Sequence, residues 1–238
     1  MRIWFWWTMT LALLVSCEND VAFLDKKLEA CIRNNLNDED DPLTQDNLDQ
    51  ITLLYCGIGA NKEESGINSL NGIEHLGNLE KLSLSYSHIS DISPLRDLKK
   101  LKELGIGTDK KITSYAPILL LPLTNLGVEG AEIEDISFLS YIPSLERINF
   151  EHNDITDISV IKQLPSLTSI DISYNKVSSL EAIANHPNIQ NFSFISIGYN
   201  CMDCALEEEH VAKVEEKNPD VYISCNSSNQ LLPENCEE

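Results

Sequence analysis

Glu151, His152, Asp154 and Asp157 fall within seven residues of one another in the stretch LERINFEHNDITDISVIKQLPS, residues 145–166. Carboxylates and an imidazole at that density are a ligand set for a metal ion, or the groups needed for acid–base chemistry. Whether the four meet depends on the backbone that carries them. That backbone is periodic. Aligned on LxxLxLxx, segments begin at Leu48, Leu79, Leu101, Leu123, Leu145, Leu167 and Phe192, and the steps from Leu79 to Leu167 are 22 residues each. The first step is 31 residues, lengthened around GANKEESG, and the last is 25. Self-similarity at this period marks a solenoid of stacked coils.

Within each coil the apolar slots have a physical order. Positions four and six alternate about a polar residue, as in Leu82-Ser83-Leu84, Ile148-Asn149-Phe150 and Ile170-Asp171-Ile172, which is a short strand with one buried face. Positions 11, 14, 17 and 20 follow; in the fifth repeat they are Ile155, Ile158, Ile161 and Leu164. The return limb therefore turns inward every third residue, as a 3-10 coil does. No coil buries these residues alone, so they stack into one core under a parallel sheet about 29 Å long for seven strands.

LEKLSLSYSHISDISPLRDLKK and LERINFEHNDITDISVIKQLPS closely resemble the leucine-rich repeat of the bacterial internalin type, and FLDKKLEACIRNNLNDEDDPLTQDNLDQITLL resembles the helical cap that precedes such repeats. Helical spacing puts Phe23, Leu24, Leu28, Cys31, Ile32 and Leu36 on one face of that cap. The resemblance implies an α/β solenoid: a right-handed leucine-rich-repeat superhelix with short parallel strands, a helical N-terminal cap and a cysteine-rich C-terminal cap. Two departures are visible. The third repeat, LKELGIGTDKKITSYAPILLLP, has its inner residues displaced by one. Asparagine at position nine occurs only at Asn153, Asn175 and Asn200, with Cys56, Ser87, Asp109 and Ala131 in the earlier coils.

This frame divides the opening cluster. Asn153 becomes a turn residue, Ile155 and Ile158 core. Asp154 and Asp157 belong to turns, and aspartate recurs at the latter's position as Asp91 and Asp135. Only Glu151 and His152 face the concave side, beside Arg147 and Asn149. Position eight along that side reads Tyr55, Tyr86, Thr108, Gly130, His152, Tyr174 and Tyr199. Tyrosine offers rigid contact area with a polar tip, which suits protein recognition; the same rings can also do no more than cover the sheet. The candidate ligand-binding residues are Tyr55, Tyr86, His152, Tyr174, Tyr199, Arg147, Asn149, Glu151 and Asp171. Small residues, among them Ser83, Ser85, Gly105, Gly107 and Gly127, leave room around the stripe.

The chain carries 17 Lys+Arg against 38 Asp+Glu, a net charge of -21 over 238 residues. Such a surface repels phosphate backbones, which argues against nucleic-acid binding, and it favours basic partners or serves solubility. The apolar run Ile3 to Val15 after Arg2 is placed like a secretory signal. Leu14-Val15-Ser16-Cys17 resembles a bacterial lipobox, which implies cleavage before Cys17 and lipidation of that residue; an ordinary signal peptide is the other reading. The domains expected are 1–16 signal peptide, 17–47 acylated N-terminus and helical cap, 48–200 seven repeats, and 201–238 disulfide-rich cap.

Six cysteines remain besides Cys17, an even number that outside the cytosol suggests three disulfides. A Cys31–Cys56 bridge would tie the cap helix to the sheet. The segment from Cys201 to Cys236 resembles the cysteine-rich C-terminal flank of extracellular leucine-rich-repeat proteins, which implies Cys201–Cys225 and Cys204–Cys236, although the family's first pair is spaced C-x-C and this one C-x-x-C. Zinc or redox chemistry at these four cysteines are the competing readings. The acidic run 38–41 lacks the alternation and glycine of an EF-hand and reads as a solvated loop. His186 sits at an inward position, as a core histidine. There is no nucleophile elbow, phosphate-binding glycine loop or zinc-type histidine pair, so no enzyme, metal or cofactor is expected. The expectation is a lipid-anchored envelope module that binds a protein ligand. A structural or regulatory envelope role, or glycan binding on the same face, are the alternatives.

Overall fold

The computed structural model of the chain describes residues 21–36, 42–57, 66–202, 207–219, 221 and 223–224. The signal segment, Cys17, the acidic run 38–41, Cys204, Cys225 and Cys236 lie outside them. Alternation of apolar and polar residues opens each coil with a strand: β1 (Leu53–Cys56), β2 (Lys81–Ser87), β3 (Glu103–Thr108), β4 (Asn125–Glu129), β5 (Arg147–Asn149), β6 (Ser169–Asp171) and β7 (Phe194–Ser196). All are parallel and pair in chain order, and β8 (Ile223–Ser224) extends the sheet to eight strands from the C-terminal cap. The return limbs are 3-10 turns, such as Ser93–Asp97, Ser137–Tyr141 and Ser159–Gln163, each starting just after an inward isoleucine. In the sixth coil a short α-helix (Glu181–Ala184) takes that place.

The inward slots are filled as the periodicity requires. Ile89, Ile92, Leu95 and Leu98 in the second coil, and Ile155, Ile158, Ile161 and Leu164 in the fifth, are all buried, at about 2 kcal/mol of transfer free energy each. His186 is buried among them. Its Nε2 lies 3.1 Å from the Leu164 carbonyl oxygen, its Nδ1 accepts the Asn188 N–H, and burial holds its pKa down.

Strand pairing corrects the first coil. Leu54 lies opposite Leu82 and Cys56 opposite Leu84, so the coil opens at Ile51, three residues later than Leu48. Leu48 ends a short helix, Gln45–Leu48, and Cys56 fills the inward sixth slot, not the ninth. Leu53, which would fill the inward sixth slot of a coil opening at Leu48, is exposed. The inward Cys56 is disulfide-bonded to Cys31 on α1 (Lys26–Leu36), joining cap to sheet as expected. Cys201 is also disulfide-bonded, with its partner outside the described residues. On α1 the buried face is Leu28 and Ile32; Leu24 precedes the helix and is 74% exposed, so it is not part of that face.

Asp25 fastens this cap. Its Oδ1 accepts the Lys27 and Leu28 N–H groups at the helix start, at 2.8 and 3.2 Å. Its Oδ2 accepts those of Asn68 and Ser69, at 2.6 and 3.1 Å, on the return limb of the first coil. Burial alone would raise the carboxyl pKa, but the backbone bonds from Asn68, Lys27, Leu28 and Ser69 outweigh it and hold it below the usual aspartate range. Because the folded pKa is the lower one, the stabilisation is complete above the unfolded aspartate pKa and is lost as pH falls through the folded value. Asp25→Ala is expected to cost about 2 kcal/mol at neutral pH, and less at acid pH, in urea titrations of both proteins at several pH values. Equal losses at all pH values would contradict this.

The C-terminal cap closes the other end. Glu207, at the start of the helix Glu208–Lys217, accepts the Leu180 N–H and Ser179 hydroxyl and lies 2.7 Å from His210 Nδ1. Asn218 then donates to the Ile189 and Phe192 carbonyls.

Candidate functional site

The opening cluster does not form a metal site. Asp154 pairs with Lys176 at 2.7 Å. Asp157 Oδ1 accepts the Ser159 N–H at 2.7 Å and starts a 3-10 turn, as Asp135 does for Ser137 and Asp91 for Ser93. Glu151 and His152 alone stay on the exposed sheet face, 3.6 Å apart. Among the described residues no group of three His, Cys, Asp or Glu side chains is placed to hold a metal.

The neighbouring asparagine organises the turn that carries the face. Asn153 Oδ1 accepts the Ala131 and Ile133 N–H groups, and its amide donates to the Val128, Phe150 and Glu151 carbonyls. Asn175 and Asn200 repeat the pattern one and two coils later. Just before each asparagine the chain enters the left-handed region. His152, Tyr174 and Tyr199 have φ of 56°, 55° and 57°, and Tyr86, before Ser87, has 54°. For bulky residues this region costs on the order of 1 kcal/mol each, so the rings sit where glycine or asparagine is easier.

The left-handed turn presents these side chains in a column. His152 stacks on Tyr174 with ring centroids 4.2 Å apart, and Tyr174 on Tyr199 at the same distance. The planes are within 19° and 8° of parallel. Burial, then the adjoining Tyr199 hydroxyl, push the Tyr174 phenol pKa up. Tyr55 is exposed on the same face, but at position five opposite Ser83, so it stands apart from the position-eight column.

Two rungs of the column are missing between Tyr86 and His152. The third coil reaches its buried turn one residue early: Thr108 pairs with Ser87, is buried, and bonds the Ile89 carbonyl. Thr108 is therefore not part of the exposed stripe, and Asp109 turns outward, with Oδ1 2.6 Å from His88 Nδ1. The fourth coil has Gly130 at φ 70°, where a Cβ would lie 2.7 Å from the Thr108 carbonyl oxygen. The gap is a depression of about 500 Å³ floored by Gly105, Gly107 and Gly127, with Tyr86 and His152 at its ends.

Charge on the face is uneven. Lys81 pairs with Glu103 at 2.7 Å near the N-terminal end. Toward the centre, Glu129, Glu151 and Asp171 lie close enough to interact. Burial raises the Glu151 pKa, Asp171 and Glu129 add to it, and His152 opposes them. Asp171 also accepts the Ser173 N–H and hydroxyl. Arg147 is exposed and shares a shallower hollow with Asn149, Asp171 and Phe194. Asn149 Oδ1 accepts the Glu151 N–H. The exposed Phe194 and Leu53 escaped the sequence reading, although both occupy the outward third position of their coils.

Residues 77–120 and 143–185 match the sequence model of a family described as "Leucine Rich repeats (2 copies)". In fold the chain is similar to internalin C2 from Listeria monocytogenes, at 21% identity and a TM-score of 0.63, covering 87% of this chain and 96% of that one. It is likewise similar to internalin F of the same organism, at 21% identity and a TM-score of 0.51, with 91% and 81% covered. Repeat period, sheet and comparisons agree that the chain folds as an internalin-like leucine-rich-repeat solenoid.

Proposed function

We propose that the protein is a non-enzymatic protein-binding module, lipid-anchored through Cys17 at the outer membrane or cell surface of a bacterium, that holds the exposed sheet face out to a partner. No helix among the described residues is long and apolar enough to cross a membrane; the anchoring part rests on the lipobox-like Leu14-Val15-Ser16-Cys17. The observation that carries the binding reading is the row of His152, Tyr174 and Tyr199 rings, stacked 4.2 Å apart on an exposed face, with Tyr86 exposed on the same face. Stacking holds the rings in place, and a pre-ordered contact surface loses less entropy on binding.

The test is capture by the immobilised protein and by a variant carrying Tyr86→Ala, Tyr174→Ala and Tyr199→Ala, with circular dichroism to show that both are folded. Partners retained by the protein and lost by the variant are expected. Equal capture by the two would sink the reading.

A further inference from the structure

The gap in the aromatic column is a cavity with a defined chemistry. Its floor carries no side chains beyond hydrogen at Gly105, Gly107 and Gly127. With strands about 4.8 Å apart, the three steps from Tyr86 to His152 leave about 14 Å, two rungs of which hold no ring. One face of His152 is covered by Tyr174, and the ring borders the cavity beyond its other face. The walls hold two carboxylates, Asp109 and Glu129, and no lysine or arginine. Asp109 is engaged by His88 and by Lys110; Glu129 has no ion-pair partner among the described residues. Glu151 and Asp171 add negative charge next door, and the whole chain is at -21. A flat, aromatic-ended slot with a free carboxylate is complementary to a planar cation.

We infer that the depression between Tyr86 and His152 receives an arginine side chain of a basic partner protein, its guanidinium stacked on His152 and paired with the Glu129 carboxylate. Arginine fits better than lysine for a geometric reason. The guanidinium is planar, stacks on rings and offers forked donors to a carboxylate, whereas the ammonium is a strongly hydrated point charge. The missing rungs give the slot its width, and the glycine floor lets the side chain reach the strand backbone. The inference rests on the binding-module reading and names the partner's chemistry.

The probe is N-acetyl-arginine amide, titrated into the nitrogen-15-labelled protein at physiological ionic strength, with N-acetyl-lysine amide as comparison. Saturable shifts are expected at the amides of Gly105, Gly107, Gly127 and Gly130. Glu129→Gln should weaken them by about tenfold, as expected for loss of a charged forked pair, while Glu134→Gln on the return limb leaves them unchanged. Shifts scattered without saturation over the acidic surface, equal binding of the lysine probe, or no effect of Glu129→Gln would each overturn the inference. Partner capture separates its failure from that of the broader reading. Capture lost with the tyrosine variant but unaffected by Glu129→Gln leaves the column as a binding surface and removes the arginine slot. Capture unaffected by either variant removes both.

Discussion

Asn175→Ala is expected to lower the unfolding free energy by about 3–4 kcal/mol, read as a lower urea midpoint. The side chain is buried, and its four hydrogen bonds all go to backbone of its own and the preceding coil. Oδ1 accepts the Ile155 N–H at 3.0 Å; Nδ2 donates to the Phe150, Ile172 and Ser173 carbonyls at 2.8, 3.0 and 3.1 Å. Alanine leaves these groups in a space that water does not reach, and each unsatisfied group costs on the order of 1–3 kcal/mol before relaxation. Ser87 is the internal comparison. It occupies the same turn at the end of the second strand, and its side chain makes one bond to another coil, to the Gly107 carbonyl. Ser87→Ala is expected to cost about 1 kcal/mol. Similar losses for the two variants would show that the asparagine network is not what joins the coils.

Gly130→Tyr is expected to cost about 2–3 kcal/mol and to abolish binding of the arginine probe. Positive φ alone is not the obstacle, since Tyr174 and Tyr199 adopt it in the same slot. The obstacle is the third coil. Its early turn brings the Thr108 carbonyl oxygen to 2.7 Å from where the new Cβ must lie, and backbone there cannot move without disturbing the Thr108 bond to Ile89. The early turn of the third coil and the glycine of the fourth thus form one feature, and a tyrosine would both strain it and fill the slot. An unchanged urea midpoint would mean that the third coil yields freely and that the gap is not imposed by Thr108.

Much of this was legible in residue order, for a physical reason. From Leu79 to Leu167 each inward slot must hold an apolar side chain, so the period is written into the chain without exception outside the third repeat. The first coil was ambiguous because Leu48, Ile51 and Leu54 are spaced by three, and either register fills the apolar slots; the end of the short helix at Leu48 decides between them. The column was legible as a stripe of tyrosines, but not its geometry. Tyrosine and histidine carry no signal for a left-handed backbone, which belongs to the inward turn that follows the strand and which Tyr86 adopts before a serine. The depression was half visible: the glycines stood out, whereas Thr108 counted with the stripe because its inward turn depends on strand pairing. Leu24 was misplaced since helical spacing continues across a helix start that Asp25 sets.

The central claim is that a partner meets the row of rings on the sheet face. Hydroxyl-radical footprinting of the protein, alone and with its captured partner, tests it most directly, because Tyr141 supplies an exposed control on the return limb, away from the sheet. Oxidation of Tyr86, Tyr174 and Tyr199 should fall in the complex while that of Tyr141 stays the same. Protection of Tyr141 with the three sheet-face tyrosines unchanged would contradict the claim.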